Sequence, residues 1–400
     1  MYRRIIGISL IILGVVLVLS VKYQTSSKFQ QPIVFSERNM LEGIWNTDKK
    51  IFIDQSGRTV DASRGNTSTS EGQAYTLLRA VWLDDKSTFD QSWTWTQNNL
   101  QHKQNDKLFS WYFSKLADGS YGVDPKIGAN NTATDGDTDI AVALIFAYDR
   151  WGDKAYLDQA KQIIPDIWKN EVIVIKGKSY LLANNLEKTS DKQKLIINPS
   201  YIKPYAYRIF AKYDSNDWLG LTNNSYQTLT DVSAMDLNGI RSDGLPPNWA
   251  TVDKTTGALA GPDPQKQPTL NTNFSFDAMR VPFNLALDWA WFKDDQAKIL
   301  LSKFGFLNQQ WQQNQAIYTD YTRDGQIAQR QEAPAVYGGT LGYFISTNPD
   351  QAAAIYNTKL KVLYSPDKDY WKEDLNYYDD NWAWFGLALY NNFTINLDSI

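Results

Sequence analysis

Residues 133–151 read ATDGDTDIAVALIFAYDRW, and this stretch decides how the rest of the chain is interpreted. Its apolar residues recur at the spacing of one face of an α-helix: Ile140, Ala143, Leu144, Ala147 and Trp151. Thr134 and Asp135 precede them, and such residues are typical of a helix N-terminus because their oxygens cap free N–H groups and complement the helix dipole. The stretch predicts an apolar helix with acidic side chains in its first turn.

Apolar and amphipathic helical patterns alternate along the chain. A second apolar helix is predicted at Glu71 to Leu83, and four further ones begin near Ser200, Ser275, Pro334 and Asp380. More polar amphipathic stretches lie between them, at roughly 87–103, 154–169, 216–236, 293–313 and 349–363. This alternation predicts an all-α fold in which a ring of inner helices is sheathed by outer ones, with helix bundles of other topology as the alternative. Small β-hairpins are expected at one end, from Val172 to Leu182 and from Gly244 to Val252.

In such a ring the inner helices are parallel, so their N-termini open at one end. Glu71, Asp135 and Asp277 each stand at the start of a predicted inner helix. Any one of them alone is also typical of helix capping. Capping does not require the three to converge, whereas the ring would direct all three carboxylates to a common space.

Composition limits the chemistry that these residues can perform. The 400 residues include 40 Lys and Arg against 44 Asp and Glu, one His and no Cys. The lack of cysteine excludes thiol nucleophiles, disulfides and thiolate metal sites, and the net charge of −4 gives no broad basic surface for nucleic acid. No cofactor or metal site is predicted. The 15 Trp, 23 Tyr and 17 Phe would suit a sugar polymer with flat apolar faces.

The N-terminus predicts export. Residues 5–21 carry no charge and lie between Arg3, Arg4 and Lys22, so we interpret 1–22 as an N-terminal membrane anchor or signal segment. Residues 23–36 read as a polar tether, and 37–400 as a single catalytic domain. The expected location is the cell membrane, with one pass and the catalytic domain outside, or secretion if the segment is cleaved.

Paired carboxylates without His or Cys point to hydrolysis of a glycosidic bond. One carboxyl must be protonated in order to donate a proton to the leaving oxygen, while the other must be ionised to activate water or attack the sugar carbon. A helix N-terminus lowers a carboxyl pKa, whereas a second carboxylate and partial desolvation raise it.

Four segments carry a resemblance to a known family. All 19 positions of 133–151 resemble the signature of glycoside hydrolase family 8, and segments 70–75, 198–201 and 276–282 resemble it in the same order. The resemblance implies an (α/α)6 barrel of six inner and six outer helices. It also implies an endo-acting enzyme that cleaves β-linked glycans with inversion and without a cofactor.

The resemblance also implies roles for individual residues. Glu71 falls where the family has its proton donor, Asp277 where most members have the base that activates water, and Asp135 where an aspartate holds the sugar next to the scissile bond. Phe276 departs from the tyrosine that often precedes the base, which removes a hydroxyl that could position water.

Other residues near these motifs are candidates for substrate binding. Trp111, Tyr201 and Tyr205 are expected to stack on sugars, and Arg280 to pair with Asp277 or hold a sugar hydroxyl. Asp137 and Asp139 are expected to cap the helix or bind an arginine rather than to take part in catalysis.

The leading hypothesis is an exported endo-β-glycanase that acts on β-1,4-linked glucan and processes exopolysaccharide. Its expected partners are the polysaccharide, the membrane and, in that setting, a polysaccharide synthase complex. The alternative is a catalytically weak glycan-binding component of an exopolysaccharide synthesis or export machine. A polysaccharide lyase is a third interpretation, which the lack of His near the acidic motifs disfavours.

Overall fold

The structure is a computed structural model that describes residues 35–399. The predicted membrane segment at 1–22 and all but the last two residues of the predicted tether lie outside the described residues. Within 35–399, no helix combines the length and the apolar character needed to cross a membrane.

The described residues form fourteen α-helices. In chain order they are α1 (Phe35–Phe52), α2 (Ser70–Trp82), α3 (Lys86–Asn99), α4 (Thr134–Trp151), α5 (Lys154–Glu171), α6 (Asn185–Thr189), α7 (Pro204–Phe210), α8 (Trp218–Ala234), α9 (Arg280–Phe292), α10 (Asp295–Ser302), α11 (Gly305–Asn314), α12 (Pro334–Thr347), α13 (Pro349–Ile355) and α14 (Tyr377–Tyr390).

Six of these helices form the inner ring: α2, α4, α7, α9, α12 and α14. Each packs against the next in this order through side chains that are mostly buried and mostly apolar. Tyr75 of α2 closes the ring with edge-to-face contacts to Trp382 and Phe385 of α14. Helices α12 and α14 approach most closely at Gly338, where a Cβ would lie 1.8 Å from the carbonyl oxygen of Trp382. The predicted (α/α)6 barrel is thus confirmed.

The outer layer matches the five predicted amphipathic stretches and adds a sixth. Helix α1 supplies the sixth member, and its residues Met40, Leu41, Ile44 and Trp45 are buried. The stretch predicted at 293–313 is divided into α10 and α11. Two inner helices also begin later than predicted: Pro199–Tyr201 forms a 3-10 turn before α7, and a turn at 275–279 precedes α9.

All twelve short strands lie where an outer helix leads into the next inner helix. They are β1 (Ser68–Thr69), β2 (Tyr112–Lys115), β3 (Tyr121–Gly122), β4 (Val172–Ile175), β5 (Lys178–Leu181), β6 (Lys194–Ile197), β7 (Ala250–Asp253), β8 (Leu259–Ala260), β9 (Asp320–Tyr321), β10 (Ile327–Gln329), β11 (Tyr364–Ser365) and β12 (Tyr370–Trp371). These connections therefore sit at the end where the inner helices have their N-termini.

Two of these sheets cover the regions where hairpins were predicted. Strands β4 and β5 form the expected hairpin, and its turn uses positive φ angles of 50° at Lys176 and 79° at Gly177. In the second region only β7 is a strand, and it pairs with β6 on one side and β8 on the other. The remaining sheets are β1-β2-β3, β9-β10 and β11-β12.

A buried arginine joins α1, α2 and α14. Arg79 is 2% exposed, donates hydrogen bonds to Asp48, Asp380 and Asn381, and lies over the rings of Trp45 and Trp384. Burial raises the pKa of Asp48 well above its usual range, with a contribution from the nearby charge of Asp380. The arginine thus offsets two buried carboxylates.

Arg79→Met is expected to lower the free energy of unfolding by about 3–5 kcal/mol, because it leaves Asp48 and Asp380 buried without their cation. Urea unfolding followed by circular dichroism measures this change. Arg241→Met is the matched control, since Arg241 has a 74% exposed side chain and should change stability by less than about 1 kcal/mol. Equal losses in the two variants would contradict the proposed role of Arg79.

Candidate active site

Three carboxylates from distant parts of the chain meet at one guanidinium group. Arg280 Nη1 donates to Glu71 Oε2 at 2.5 Å and to Asp135 Oδ2 at 3.0 Å, while Nη2 donates to Asp277 Oδ1 at 2.6 Å. The Arg280 side chain is only 5% exposed. The structure therefore brings together Glu71, Asp135, Asp277 and Arg280, as the ring of inner helices predicts for the three acids.

Local structure places Glu71 and Asp135 in the first turns of neighbouring helices. Thr69 caps α2, because its Oγ1 accepts a hydrogen bond from the N–H of Gly72 at 2.9 Å. A Cβ at Gly136 would lie 2.5 Å from Ser70 Oγ and 3.0 Å from the nitrogen of Glu71. Glycine at position 136 thus allows the N-termini of α2 and α4 to approach closely enough for both acids to reach Arg280.

Asp277 lies in the turn before α9 rather than inside the helix. The side chain of Asn248 holds this turn, since its Oδ1 accepts hydrogen bonds from the N–H groups of Ser275 at 3.2 Å and Ala278 at 3.0 Å. Arg280 begins α9 three residues later. The base candidate and the arginine that binds it therefore belong to one short, anchored segment.

These groups form the floor of a cleft of about 730 Å³ at the strand-bearing end of the barrel. The side-chain exposures are 24% for Glu71, 31% for Asp277 and 4% for Asp135. Glu71 and Asp277 are thus accessible from the cleft, whereas Asp135 is nearly enclosed.

The cleft favours a protonated carboxyl at Glu71. Burial raises the pKa of Glu71 to about 7, the nearby charges of Asp135 and Asp277 act in the same direction, and Arg280 opposes them. Burial also raises the pKa of Asp277, against the lowering effects of Arg280 and Asn198. Desolvation and like charge outweigh the attraction of Arg280 at Glu71, so this carboxyl can hold a proton near neutral pH.

Tyrosine hydroxyls surround the same floor. Burial raises the pKa of Tyr75, Tyr201 and Tyr378 well above the usual range, so these phenols remain protonated. The guanidinium of Arg280 lies 5.4 Å from the centre of the Tyr201 ring. Tyr378 donates a hydrogen bond to the carbonyl oxygen of Phe276 at 2.6 Å.

Aromatic side chains form the walls of the cleft. Trp111 is 37% exposed and stacks on Tyr112 at a centroid distance of 4.7 Å, and its Nε1 donates to the carbonyl of Gly128 at 3.0 Å. Trp249 and Phe276 also line the cleft and were not predicted to do so. Trp249 lies in the predicted hairpin region 244–252 and directly precedes β7, and only its aromatic character could have identified it as a cleft residue.

The structure places one predicted sugar-stacking residue away from the cleft. Tyr205 is 4% exposed, packs edge-to-face on Trp291 at 4.9 Å and lies close to Asp139. It belongs to the first helical turn of α7, which begins at Pro204 and turns this ring into the barrel. The burial of Tyr205 leaves no ring face for a sugar, in contrast to Trp111 and Tyr201, which line the cleft.

Asp137 and Asp139 neither cap α4 nor bind an arginine, so that prediction is wrong. Asp137 Oδ1 accepts a hydrogen bond from the N–H of Phe109 at 2.9 Å, and its other oxygen lies near the buried carboxyl of Glu171. Asp139 forms an ion pair with Lys203 at 2.5 Å. Both acids are buried behind the cleft because α5 and the segment before α7 pack over this turn of α4.

The Asp137 and Glu171 carboxyls form a buried acid pair. Asp137 Oδ2 and Glu171 Oε2 are enclosed without a hydrogen bond of ordinary geometry in the described structure, while Thr132 donates to Glu171 Oε1. Burial raises the pKa of Glu171 to about 7 and that of Asp137 well above its usual range. The two carboxyls can therefore remain buried beside each other only while at least one of them is protonated.

Glu171→Gln is expected to flatten the dependence of stability on pH. Between the ordinary glutamate pKa of 4.5 and about 7, the folded protein binds more protons at Glu171 than the unfolded chain does, so stability falls as the pH rises. The glutamine variant has no proton to lose there and should lose on the order of 2 kcal/mol less unfolding free energy between pH 5 and pH 8. Urea unfolding at several pH values measures it.

Glu373→Gln is the control for this prediction, because Glu373 is exposed. Its stability should follow that of the parent chain across the same pH range. Parallel curves for the parent and Glu171→Gln would show that Glu171 does not titrate in this window.

The site as a whole is a carboxylate cleft at the N-terminal end of an (α/α)6 barrel. Within residues 35–399, no group of three or more acidic or histidine side chains is arranged to hold a metal ion. A sequence profile of glycosyl hydrolases family 8 matches residues 22–381. The chain belongs to this family.

Individual relatives agree with this assignment. A probable endoglucanase from Novacetimonas hansenii is 34% identical over 250 residues, which cover 62% of this chain and 66% of the relative. An endoglucanase from Cellulomonas uda is 31% identical over 258 residues, which cover 64% of this chain and 66% of the relative. The match therefore spans slightly less than two thirds of the length of these two proteins.

Solved structures share the fold. The endo-beta-1,4-glucanase from Acetobacter xylinum superposes with a TM-score of 0.67 at 23% identity, covering 91% of this chain and all of that one. The beta-1,3-1,4-glucanase from Paenibacillus sp. X4 gives a TM-score of 0.72 at 18% identity, covering 89% and 92%. At these identities the likeness concerns the barrel architecture.

Proposed function

We propose that this protein is an endo-acting β-glycanase that hydrolyses β-1,4-linked glucan with inversion at the anomeric carbon. The observation that carries the proposal is the convergence of Glu71, Asp135 and Asp277 on one buried arginine, with a pKa of about 7 at Glu71. A glycosidase needs one protonated and one ionised carboxyl, and this cleft provides environments that separate the two states.

The roles follow from exposure and charge. Glu71 reaches the cleft and donates its proton to the leaving glycosidic oxygen. Asp277 also reaches the cleft, and its contact with Arg280 favours the ionised form that takes a proton from water as the water attacks the sugar. Asp135 is nearly enclosed, so it acts by binding the sugar at the scissile bond and by keeping Arg280 in place.

The substrate class is supported by the walls of the cleft and by the relatives. Flat rings at Trp111 and Trp249 suit the apolar faces of β-linked glucose units, and the curated relatives described above bear the name endoglucanase. Cellulose, mixed-linkage β-glucan, xylan and chitosan form the test panel. Soluble products are followed by chromatography, and inversion is tested by NMR as immediate release of the α-anomer.

The cellular setting is also a proposal. The uncharged segment 5–21, flanked by Arg3, Arg4 and Lys22, supports export with either a membrane anchor or a cleaved signal. A membrane-held β-glucanase would be placed to process exopolysaccharide beside a polysaccharide synthase complex. Fractionation of cells that produce the full chain tests this location. A catalytically weak glycan-binding component would instead bind the oligosaccharides in the panel without releasing products.

Glu71→Gln is expected to lower kcat on the best substrate by about 10²–10⁴-fold, because the amide cannot donate the proton that the leaving oxygen needs. Initial-rate assays measure this loss, and circular dichroism verifies the fold. Glu373→Gln serves as a matched control, since Glu373 is exposed and does not line the cleft. Turnover of Glu71→Gln within tenfold of the parent would exclude Glu71 as the proton donor.

The pH profile of kcat/KM should fall on the alkaline side from about pH 7, because Glu71 must be protonated to act and its pKa is about 7. On the acidic side the rate should fall as Asp277 becomes protonated, above the ordinary aspartate range because burial raises its pKa. Assays from pH 4 to pH 9 at constant ionic strength test both limbs. A rate that stays constant from pH 6 to pH 9 would contradict the assignment.

A further inference from the structure

Asn198 lies beneath the candidate base, in the turn between β6 and α7. It is 2% exposed. Its Oδ1 accepts hydrogen bonds from the N–H of Ser200 at 2.9 Å and from the Ser200 hydroxyl at 2.7 Å. A backbone N–H can only donate, so these bonds identify the oxygen of the amide and fix the direction of its nitrogen.

The nitrogen of this amide is a buried donor without an ordinary hydrogen bond. Asn198 Nδ2 has no partner of normal geometry in the described part of the chain. The turn that Asn198 caps packs on the segment that follows Asp277, because Asn284 Nδ2 donates to the carbonyl oxygen of Ser200 at 2.9 Å and the Arg280 guanidinium lies 5.4 Å from the centre of the Tyr201 ring. In this position the Asn198 amide lowers the pKa of Asp277. Leaving a buried donor unpaired costs about 1–3 kcal/mol. A donor that is kept next to a carboxylate at this cost indicates a functional role.

The carboxylate of Asp277 is held from two other directions. Arg280 donates to its Oδ1, and Asn248 anchors the turn through the N–H groups of Ser275 and Ala278. These contacts fix the backbone of the turn and one carboxylate oxygen of Asp277. Phe276, the residue before the base, offers no hydroxyl to the group.

We propose that Asn198 is a positioning residue for Asp277: its fixed amide N–H directs the carboxylate toward the attacking water. This inference rests on the proposed function, in which Asp277 is the base. Asn198 acts through Asp277, so its loss should alter the protonation and the aim of the base while leaving glycan binding nearly unchanged.

Asn198→Asp removes the donor while keeping the cap. Aspartate keeps an oxygen that can accept from Ser200, so the local turn is retained, but it replaces the N–H donor with a second carboxyl oxygen. We expect kcat to fall at least tenfold, KM to stay within about twofold, and the acidic limb of the pH profile to move up by about one pH unit. The added carboxyl also repels Asp277 directly, so the uncharged Asn198→Ser isolates the effect of the lost donor. A residue that only caps the turn would leave kcat and the acidic limb unchanged in Asn198→Ser.

Two further variants complete the kinetic experiment. Asn184→Asp is the matched control, because Asn184 makes the same kind of cap, accepting from Leu186 N at 3.0 Å and Glu187 N at 3.3 Å, away from the cleft. Asn198→Ser keeps a capping oxygen, removes the donor and adds no charge, and it should shift the acidic limb in the same direction by a smaller amount. Asn198→Ser also supplies the answer if Asn198→Asp does not fold.

A direct titration makes the result independent of turnover. Protein labelled with ¹³C at the aspartate carboxyls gives an Asp277 resonance that is identified by its loss in Asp277→Asn. In Asn198→Asp and Asn198→Ser this resonance should titrate at a higher pH than in the parent. If the parent chain releases no product from any glycan, the proposed function fails while this titration still decides the role of Asn198. An unchanged Asp277 titration in both folded variants would overturn the proposal.

Discussion

The catalytic end of the barrel depends on the charge of Arg280. Three carboxylates within reach of one another would repel strongly in a partly desolvated cleft, and two of them would take up protons. Arg280 offsets this repulsion by donating to all three, with two bonds from one nitrogen and one from the other. Its position at the start of α9 ties the acids of α2 and α4 to the turn that carries Asp277. The same guanidinium therefore determines both the geometry and the protonation of the site.

The barrel supports this cluster through an asymmetry between its two ends. Connections from an inner helix to the next outer helix are short, as at Gly152–Asp153 and Lys293–Asp294. The connections in the other direction contain all twelve described strands and most of the residues that line the cleft. Close packing of the inner ring fixes the helix N-termini, and the longer connections are then free to supply side chains for a ligand. The inner helices thus carry stability together with Glu71, Asp135 and Arg280 in their first turns, whereas the connections supply most of the other residues that line the cleft.

Helical periodicity predicted the helices of the inner ring and the N-terminal positions of Glu71 and Asp135, and a strand-like pattern predicted the hairpin at β4 and β5, because these features are local in sequence. It could not show which acids share a partner, since Arg280 and Glu71 are 209 residues apart. The late start of α9 depends on the hydrogen bonds that the N–H groups of Ser275 and Ala278 donate to the Asn248 side chain. The burial of Tyr205 and the pairing of Asp137 with Glu171 depend on which elements pack over α4. Such tertiary contacts produce no periodic pattern in the sequence, so they could not be predicted from it.

The proposed division of roles among the three acids follows from which carboxylate a sugar can displace from Arg280. Glu71 is 24% exposed, so a sugar can displace its carboxyl from Arg280 while Asp135 and Asp277 still neutralise the guanidinium. Loss of the Asp135 contact would instead leave a carboxylate that is 4% exposed without its cation, which is far more costly. Under the proposed function, Glu71 is therefore the acid that can leave the network, take up a proton and donate it. Asp135 must stay bound to Arg280, which suits its proposed role of holding the sugar rather than donating the proton.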